Sequence, residues 1–295
     1  MRSLPFMQVD VFAERRFAGN PLAVFPYADG LTDEQMQAIA REMNLSETTF
    51  VWPAEGEGDA RVRIFTPGTE LPFAGHPSLG TACVLVRMGV LRLQTPVTPV
   101  VLELNVGPIR VDVEVEIGEP VGAVMYQPAP EFGAEIVRSE AAAVLGLTGA
   151  DLHPDLAPRV VSTGLPYAVI PLRDTDAVAR SGYVLDLLPA FERRWAELYP
   201  FALTGAAAPF AEARCFAPFA GIPEDPATGS AAGPLAAYLA HEGVLAIDAT
   251  AVIAQGRHCG RPSEISVSVT AEGDRLTGVR VGGRVVPVLA GELTL

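Results

Sequence analysis

Three stretches of the chain recur in the same order at nearly one spacing, and this repetition restricts the fold more than any single motif. Gly19-Asn20-Pro21-Leu22-Ala23-Val24-Phe25-Pro26 matches Gly164-Leu165-Pro166-Tyr167-Ala168-Val169-Ile170-Pro171 at an offset of 145, sharing Gly, Pro, Ala, Val and Pro in register. Arg63-Ile64-Phe65-Thr66-Pro67 matches Arg214-Cys215-Phe216-Ala217-Pro218 at 151, and His76-Pro77-Ser78-Leu79-Gly80-Thr81-Ala82 matches Asp225-Pro226-Ala227-Thr228-Gly229-Ser230-Ala231 at 149. Collinear matches at nearly one spacing mark an internal duplication. With 295 residues, 49% of them hydrophobic, the chain has the length of about two domains and the material for real cores. Two similar halves built of strands and helices follow, with a crevice expected between them.

In the first half, Phe6 to Phe12 reads as a strand, Arg16-Phe17-Ala18-Gly19-Asn20-Pro21 as a turn and Leu22 to Phe25 as the returning strand. Thr32 ahead of the acidic Asp33 and Glu34, with Met36, Ile39, Ala40 and Met43 at helical spacing, predicts an amphipathic helix over 33–43. Thr48 to Trp52 and Ala60 to Phe65 are strand candidates. Pro77 and Pro226 each sit near the start of an apolar helix, expected from about Ser78 to Met88 and from Ala231 to Ala240, with Gly89 and Gly243 beyond their ends. Val100 to Val106 and Arg110 to Ile117 alternate, placing Val111, Val113, Val115 and Ile117 on one face and Asp112, Glu114 and Glu116 on the other. Gly118 to Pro130, rich in glycine and proline, is the expected domain boundary and gives halves of 1–118 and 119–295.

All 21 basic residues are arginine, against 35 acidic ones, for a formal charge of -14. A chain without lysine cannot form the Schiff base of pyridoxal-phosphate or class I aldolase chemistry, nor supply the lysine of a phosphate-binding P-loop. Its acidity argues against non-specific binding to nucleic acid or anionic membranes, and points to a small-molecule partner. No apolar run reaches membrane-span length, and Asp10 and Glu14 interrupt what would be a signal-peptide core, so a cytoplasmic location is expected. Cys83, Cys215 and Cys259 are odd in number and widely spaced, which disfavours a disulfide framework or a cysteine zinc site. His153, His241 and His258 form no metal-binding spacing, and no Gly-x-Gly-x-x-Gly follows the opening strand.

The polar residues that differ between the repeats carry the chemistry. Each of the two helix starts exposes backbone N–H groups at the positive end of a dipole, a place for a carboxylate or a developing enolate oxygen. His76 of the first repeat is Asp225 in the second, both just before proline and expected outside the helical ladder. Asp225 reads equally as a helix cap, and His76 as an ordinary turn histidine. Ser230, matching Thr81, lies in the first helical turn, where a hydroxyl binds a substrate carboxylate or closes a local backbone bond. Gly75 and Gly229 place small residues where a ligand can approach backbone. Glu47 lies between a helix and a strand and reads either as a solvent-facing turn carboxylate or, if buried, as a general acid/base. Arg261, in a late Gly/Arg turn, compensates a carboxylate or simply faces solvent.

The ordered set Asn44-Leu45-Ser46-Glu47-Thr48, Arg63-Ile64-Phe65-Thr66-Pro67, Glu70-Leu71-Pro72-Phe73-Ala74-Gly75-His76-Pro77, Asp225-Pro226-Ala227-Thr228-Gly229-Ser230-Ala231 and Gly260-Arg261-Pro262-Ser263 resembles the PhzF-like family, named for an isomerase of phenazine biosynthesis. The likeness covers essentially the whole chain. It implies an α+β fold of two pseudo-symmetric diaminopimelate epimerase-like domains, each a curved, barrel-like sheet around a central helix, with the final strand returning to the first domain. It further implies a cofactor-independent, commonly homodimeric isomerase, in which Glu47 shuttles the proton, His76 and Asp225 orient and polarise a small carboxylic acid, and Ser230 with the Gly75 and Gly229 backbone holds its carboxylate. Related epimerases carry a cysteine at each helix head. Here His76 and Asp225 take those places and Cys83 lies two turns further on, which disfavours thiolate stereoinversion. Amino-acid or hydroxy-acid epimerisation, and non-catalytic binding of a small carboxylate, are the alternatives.

Overall fold

The computed structural model describes residues 2–220 and 222–295. The chain divides into two compact units, one running to Tyr126 and regaining Gly282–Leu295, the other Gln127–Val281.

In the first unit β1 (Ser3–Val11) and β2 (Asn20–Phe25) form the expected antiparallel hairpin, and the Asp10 carboxylate holds its turn by accepting the Phe17 N–H at 2.7 Å. α1 (Asp33–Met43) starts where the sequence predicts, because Thr32 and Gln35 cap each other's backbone, and it stops at Asn44 in the left-handed conformation. Its buried Met36, Ile39 and Ala40 join a cluster containing the stacked rings of Phe6, Phe25 and Phe50, 5.3 Å apart in succession. β3 (Glu47–Pro53) runs parallel to β2, β4 (Ala60–Phe65) antiparallel to β3, and β5 (Glu70–Leu71) is a short addition to β4. α2 (Gly75–Arg87) is buried at every position from Gly75 to Val86, as a helix apolar on all sides must be. β6 (Val97–Leu104) pairs parallel with β4, and β7 (Gly107–Glu116) and β8 (Glu119–Gln127) follow as antiparallel strands.

The second unit opens with β9 (Glu131–Glu135), α3 (Arg138–Val144), β10 (Arg159–Ser162) and β11 (Pro166–Pro171). α4 (Thr175–Arg180) and α5 (Leu188–Arg194) pack with α3 on one hydrophobic cluster. Then come β12 (Glu197–Leu203), β13 (Ala211–Ala213), β14 (Cys215–Ala217), β15 (Ile222–Asp225), the buried α6 (Gly229–His241), β16 (Ala251–Gln255) and β17 (Ser263–Glu272). The succession β10–β11 antiparallel, β11–β12 parallel, β12–β13 antiparallel, β13–β16 parallel and β16–β17 antiparallel repeats that of β1 to β7. The duplication is therefore a duplication of topology. It extends to side chains: Arg63 grips Glu70 through two bonds of 2.8 and 2.6 Å and lies over Phe65, while Arg214 grips Glu224 through two of 3.0 and 2.6 Å and lies over Phe216.

The last strand, β18 (Arg275–Thr294), passes into the first unit. There it pairs with β1 from Ser3↔Thr294 to Val11↔Val285 and also with β8, so the strands of that unit close on themselves. The fold is thus α+β, with a closed barrel-like sheet around a helix.

Three expectations need correction. The division falls after Tyr126 and not at Gly118, because β8 turns back onto β7 from Glu116↔Glu119 onward and belongs to the same sheet. Ile117 does not share the buried face of Val111, Val113 and Val115; it occupies the β7–β8 turn with φ 52° and is fully exposed. The helices begin at Gly75 and Gly229, so His76 stands inside the first turn, where proline at the next position removes an N–H that has no helical partner.

Candidate active site

Glu47 is the first residue of β3, placed opposite Leu22 of β2, and is 8% exposed. It is a buried strand carboxylate and not a solvent-facing turn residue. His76, in the first turn of α2, is 5% exposed and points its Nε2 to within 3.2 Å of Glu47 Oε2. The two atoms are in contact without the alignment of a hydrogen bond. A buried bond of 2.8 Å between the Thr49 and Thr81 hydroxyls ties the same strand to the same helix one turn further on.

Burial pushes the imidazole of His76 down to about 3. Loss of water around the ring is the cause of that shift, and it holds His76 in its neutral form near pH 7.

In the second unit Asp225 ends β15, opposite Cys215 of β14, and is 9% exposed. It does not cap α6. The residue at the cap position is Thr228, whose hydroxyl lies 2.5 Å from Asp225 Oδ2. Ser230 closes no local backbone bond; its Oγ lies 2.8 Å from the Tyr167 hydroxyl. Gly229 supplies a carbonyl to Gln127 Nε2 at 3.0 Å. Ser263 Oγ bonds Pro226 O at 2.9 Å, and Gly256, with φ +76°, lies so close that a Cβ would come 2.4 Å from the same oxygen. The late Gly/Arg turn is thus a buttress for the Asp225-Pro226 corner.

Both central helices begin without a side-chain cap and without an acidic residue in the first turn. The carboxylates beside these starts, Glu47 at His76 and Asp225 at Thr228, come from neighbouring strands, and the positive end of a helix dipole suits an anionic ligand as well. Among the described residues no group of three or more His, Cys, Asp or Glu is arranged to hold a metal ion, and no helix is long and apolar enough to cross a membrane.

The description "Phenazine biosynthesis-like protein" belongs to a family model that matches residues 9–291. The chain belongs to that family. It is 38% identical over 297 residues to the trans-2,3-dihydro-3-hydroxyanthranilate isomerase of Pseudomonas chlororaphis, covering 98% of this chain and 99% of the relative. A Bacillus anthracis phenazine biosynthesis protein of the PhzF family superposes with a TM-score of 0.89 at 29% identity over the whole of both chains. A probable proline racemase from Agrobacterium radiobacter, 14% identical, superposes with a TM-score of 0.70 over 99% of this chain and 93% of its own, a likeness of fold alone. As a member of the family, the protein is an isomerase.

Several site residues escape sequence reasoning. Tyr167 replaces Leu22 at a repeat position, a polar-for-apolar exchange visible in the sequence. Glu197 stands opposite Tyr167 in β12 as Glu47 stands opposite Leu22 in β3, at an offset of 150 that falls within the spacing of the repeats. Although Glu197 is exposed, the protein crowded around its carboxyl pushes it up from its ordinary value. Gln255, buried beside Asp225, gives no signal, because an amide at a strand end has many roles.

Proposed function

We propose that the protein moves a proton between two carbons of one small, unsaturated or cyclic carboxylic acid, with Glu47 as the carrier. The observation that supports this reading is a buried carboxyl at 3.2 Å from an imidazole that burial keeps neutral. Glu47 as carboxylate accepts a proton from an allylic or α carbon, leaving a delocalised anion and a neutral Glu47 acid. The acid returns the same proton to the conjugated carbon and regains its charge, so no oxidant, reductant or cofactor enters the balance. His76 and Asp225 orient and polarise the substrate, and Ser230 with the backbone at Gly75 and Gly229 holds its carboxylate. The uncapped helix starts supply dipoles that stabilise the anion as it forms.

The substrate proposed for the first trial is the one in the Pseudomonas relative's name, trans-2,3-dihydro-3-hydroxyanthranilate, within a panel of related carboxylic acids in heavy water. The expected product has its double bond moved and the proton, or deuterium, at the conjugated carbon. Glu47→Gln should keep fold and binding while losing about 100-fold to 10,000-fold in turnover. Comparable turnover in that variant would exclude Glu47 as the carrier. Inversion at one carbon would make the protein an epimerase, and binding without any proton movement a carboxylate-binding protein.

A further inference from the structure

We propose that Gln255 is a positioning residue for Asp225: it fixes the direction of a buried hydrogen-bond relay so that the Thr228 hydroxyl donates to Asp225 Oδ2 and cannot turn away. The catalytic meaning of this relay rests on the role proposed for Asp225, but its geometry does not.

Gln255 is 2% exposed and uses both ends of its amide. Backbone groups settle which end is which. The Thr228 N–H, which can only donate, lies 3.2 Å from Oε1, and the Asp225 carbonyl, which can only accept, lies 2.8 Å from Nε2. With the amide so oriented, its second N–H faces Thr228 Oγ1 at 2.9 Å. That hydroxyl therefore accepts from Gln255, and of the two groups its own hydrogen can face, the Cys215 sulfur and Asp225 Oδ2 at 2.5 Å, the carboxylate oxygen is the stronger acceptor. The Tyr199 hydroxyl, 2.9 Å from Gln255 Oε1, completes the series as a donor. Every step runs one way, from Tyr199 through Gln255 and Thr228 to Asp225. A hydroxyl is ordinarily free to rotate between donor and acceptor roles; here the amide removes that freedom.

Tyr167, Tyr199, Cys215 and Cys259 are titratable groups whose fields reach Asp225, and burial is the first cause pushing each above its ordinary value. They stay neutral through the acid range. Glu224, next in sequence, is held by Arg214. A donated hydrogen bond favours the charged form of a carboxyl.

The test is a carbon-13 NMR titration of protein labelled at the aspartate carboxyl carbon, with the Asp225 signal assigned by its absence in Asp225→Asn. Thr228→Val, which removes the donor, should lower the acid dissociation constant of Asp225 by about tenfold, the scale of one lost hydrogen bond to a charged group. Thr228→Ser, which keeps the hydroxyl, should leave it within about twofold of the parent. Gln255→Leu removes the amide without adding a charge, frees the Thr228 hydroxyl to turn from Asp225 and should lower the constant by about threefold, less than Thr228→Val does; this variant decides the matter should Thr228→Val not fold. Coincident curves for the parent and the folded variants would overturn the relay. A protein that titrates as expected but moves no proton in any substrate keeps the relay and loses the proposed activity, whereas turnover with coincident curves does the reverse.

Discussion

Replacing Gly233 by alanine tests how α6 is held against the rest of its unit. Helix propensity alone predicts a gain of about 1 kcal/mol, since Gly233 sits inside a 13-residue helix. The structure predicts the opposite sign. A Cβ at this position would lie 1.8 Å from Gln127 Oε1, 2.8 Å from its Cδ and 3.1 Å from Thr163 Oγ1. The tip of Gln127 must move, and its two buried bonds go with it: Nε2 to Gly229 O at 3.0 Å and Thr163 Oγ1 to Oε1 at 2.6 Å. Each is worth about 1 kcal/mol net, and forcing extra volume into a packed site costs about 1–3 kcal/mol more. Subtracting the propensity gain leaves a loss of about 2–4 kcal/mol. Urea denaturation followed by far-ultraviolet circular dichroism measures it, and in the Gln127→Ala background, where the obstruction is gone, the same glycine substitution should cost under about 1 kcal/mol. A Gly233→Ala protein as stable as its parent would refute the reasoning that Gln127 fills the notch.

Three further outcomes are expected. Glu224→Gln, which weakens the twofold grip of Arg214 where both side chains are nearly buried, should cost about 2–4 kcal/mol in urea denaturation, whereas Glu119→Gln, opposite Arg87 at the surface, should cost under about 1 kcal/mol. His76, with a folded value near 3 against about 6.5 unfolded, resists the proton that the unfolded chain takes up, so its contribution is complete above about pH 6.5 and is lost as pH falls toward 3. The parent should lose stability over that window faster than His76→Asn, by up to about 1.4 kcal/mol per pH unit, and equal slopes would show that His76 is already charged. Finally, a thiol reagent at pH 8 should label Cys259, which is exposed although its thiol too is pushed up, and spare Cys83 and Cys215, which are buried; mass spectrometry of the digest reads the result.

Much of this architecture is legible in the sequence because its determinants are local. Thr32 and Gln35 place the start of α1 through bonds to each other, and the repeated punctuation at Gly19 and Gly164, and at Pro77 and Pro226, marks matching corners of matching chains. The motif residues Glu47 and His76, each singled out separately in the sequence, lie 3.2 Å apart. What stays hidden depends on partners distant in the chain. The segment after Gly118 reads as a linker because Pro120 and Gly122 break its pattern, yet a Cβ on Gly122 would come 2.8 Å from the carbonyl of Gly283, so this glycine serves the close approach of β18 to β8 and signals no loop. Gln255 is likewise silent until the Asp225 corner is folded over it.

The passage of β18 into the first unit has a consequence for how the chain is ordered. Arg2 and Leu295 exchange backbone hydrogen bonds of 3.2 and 2.8 Å, so the strand that enters last and the strand that starts the barrel are already side by side. β9 stands to β10 as the end of β18 stands to β1, each an antiparallel neighbour on the outer side of its hairpin. Followed as a circle, the polypeptide visits one unit without interruption and then the other. A permuted chain that joined Leu295 to the first residues and opened near Pro128 would turn an interrupted domain and its insert into two tandem modules of like topology.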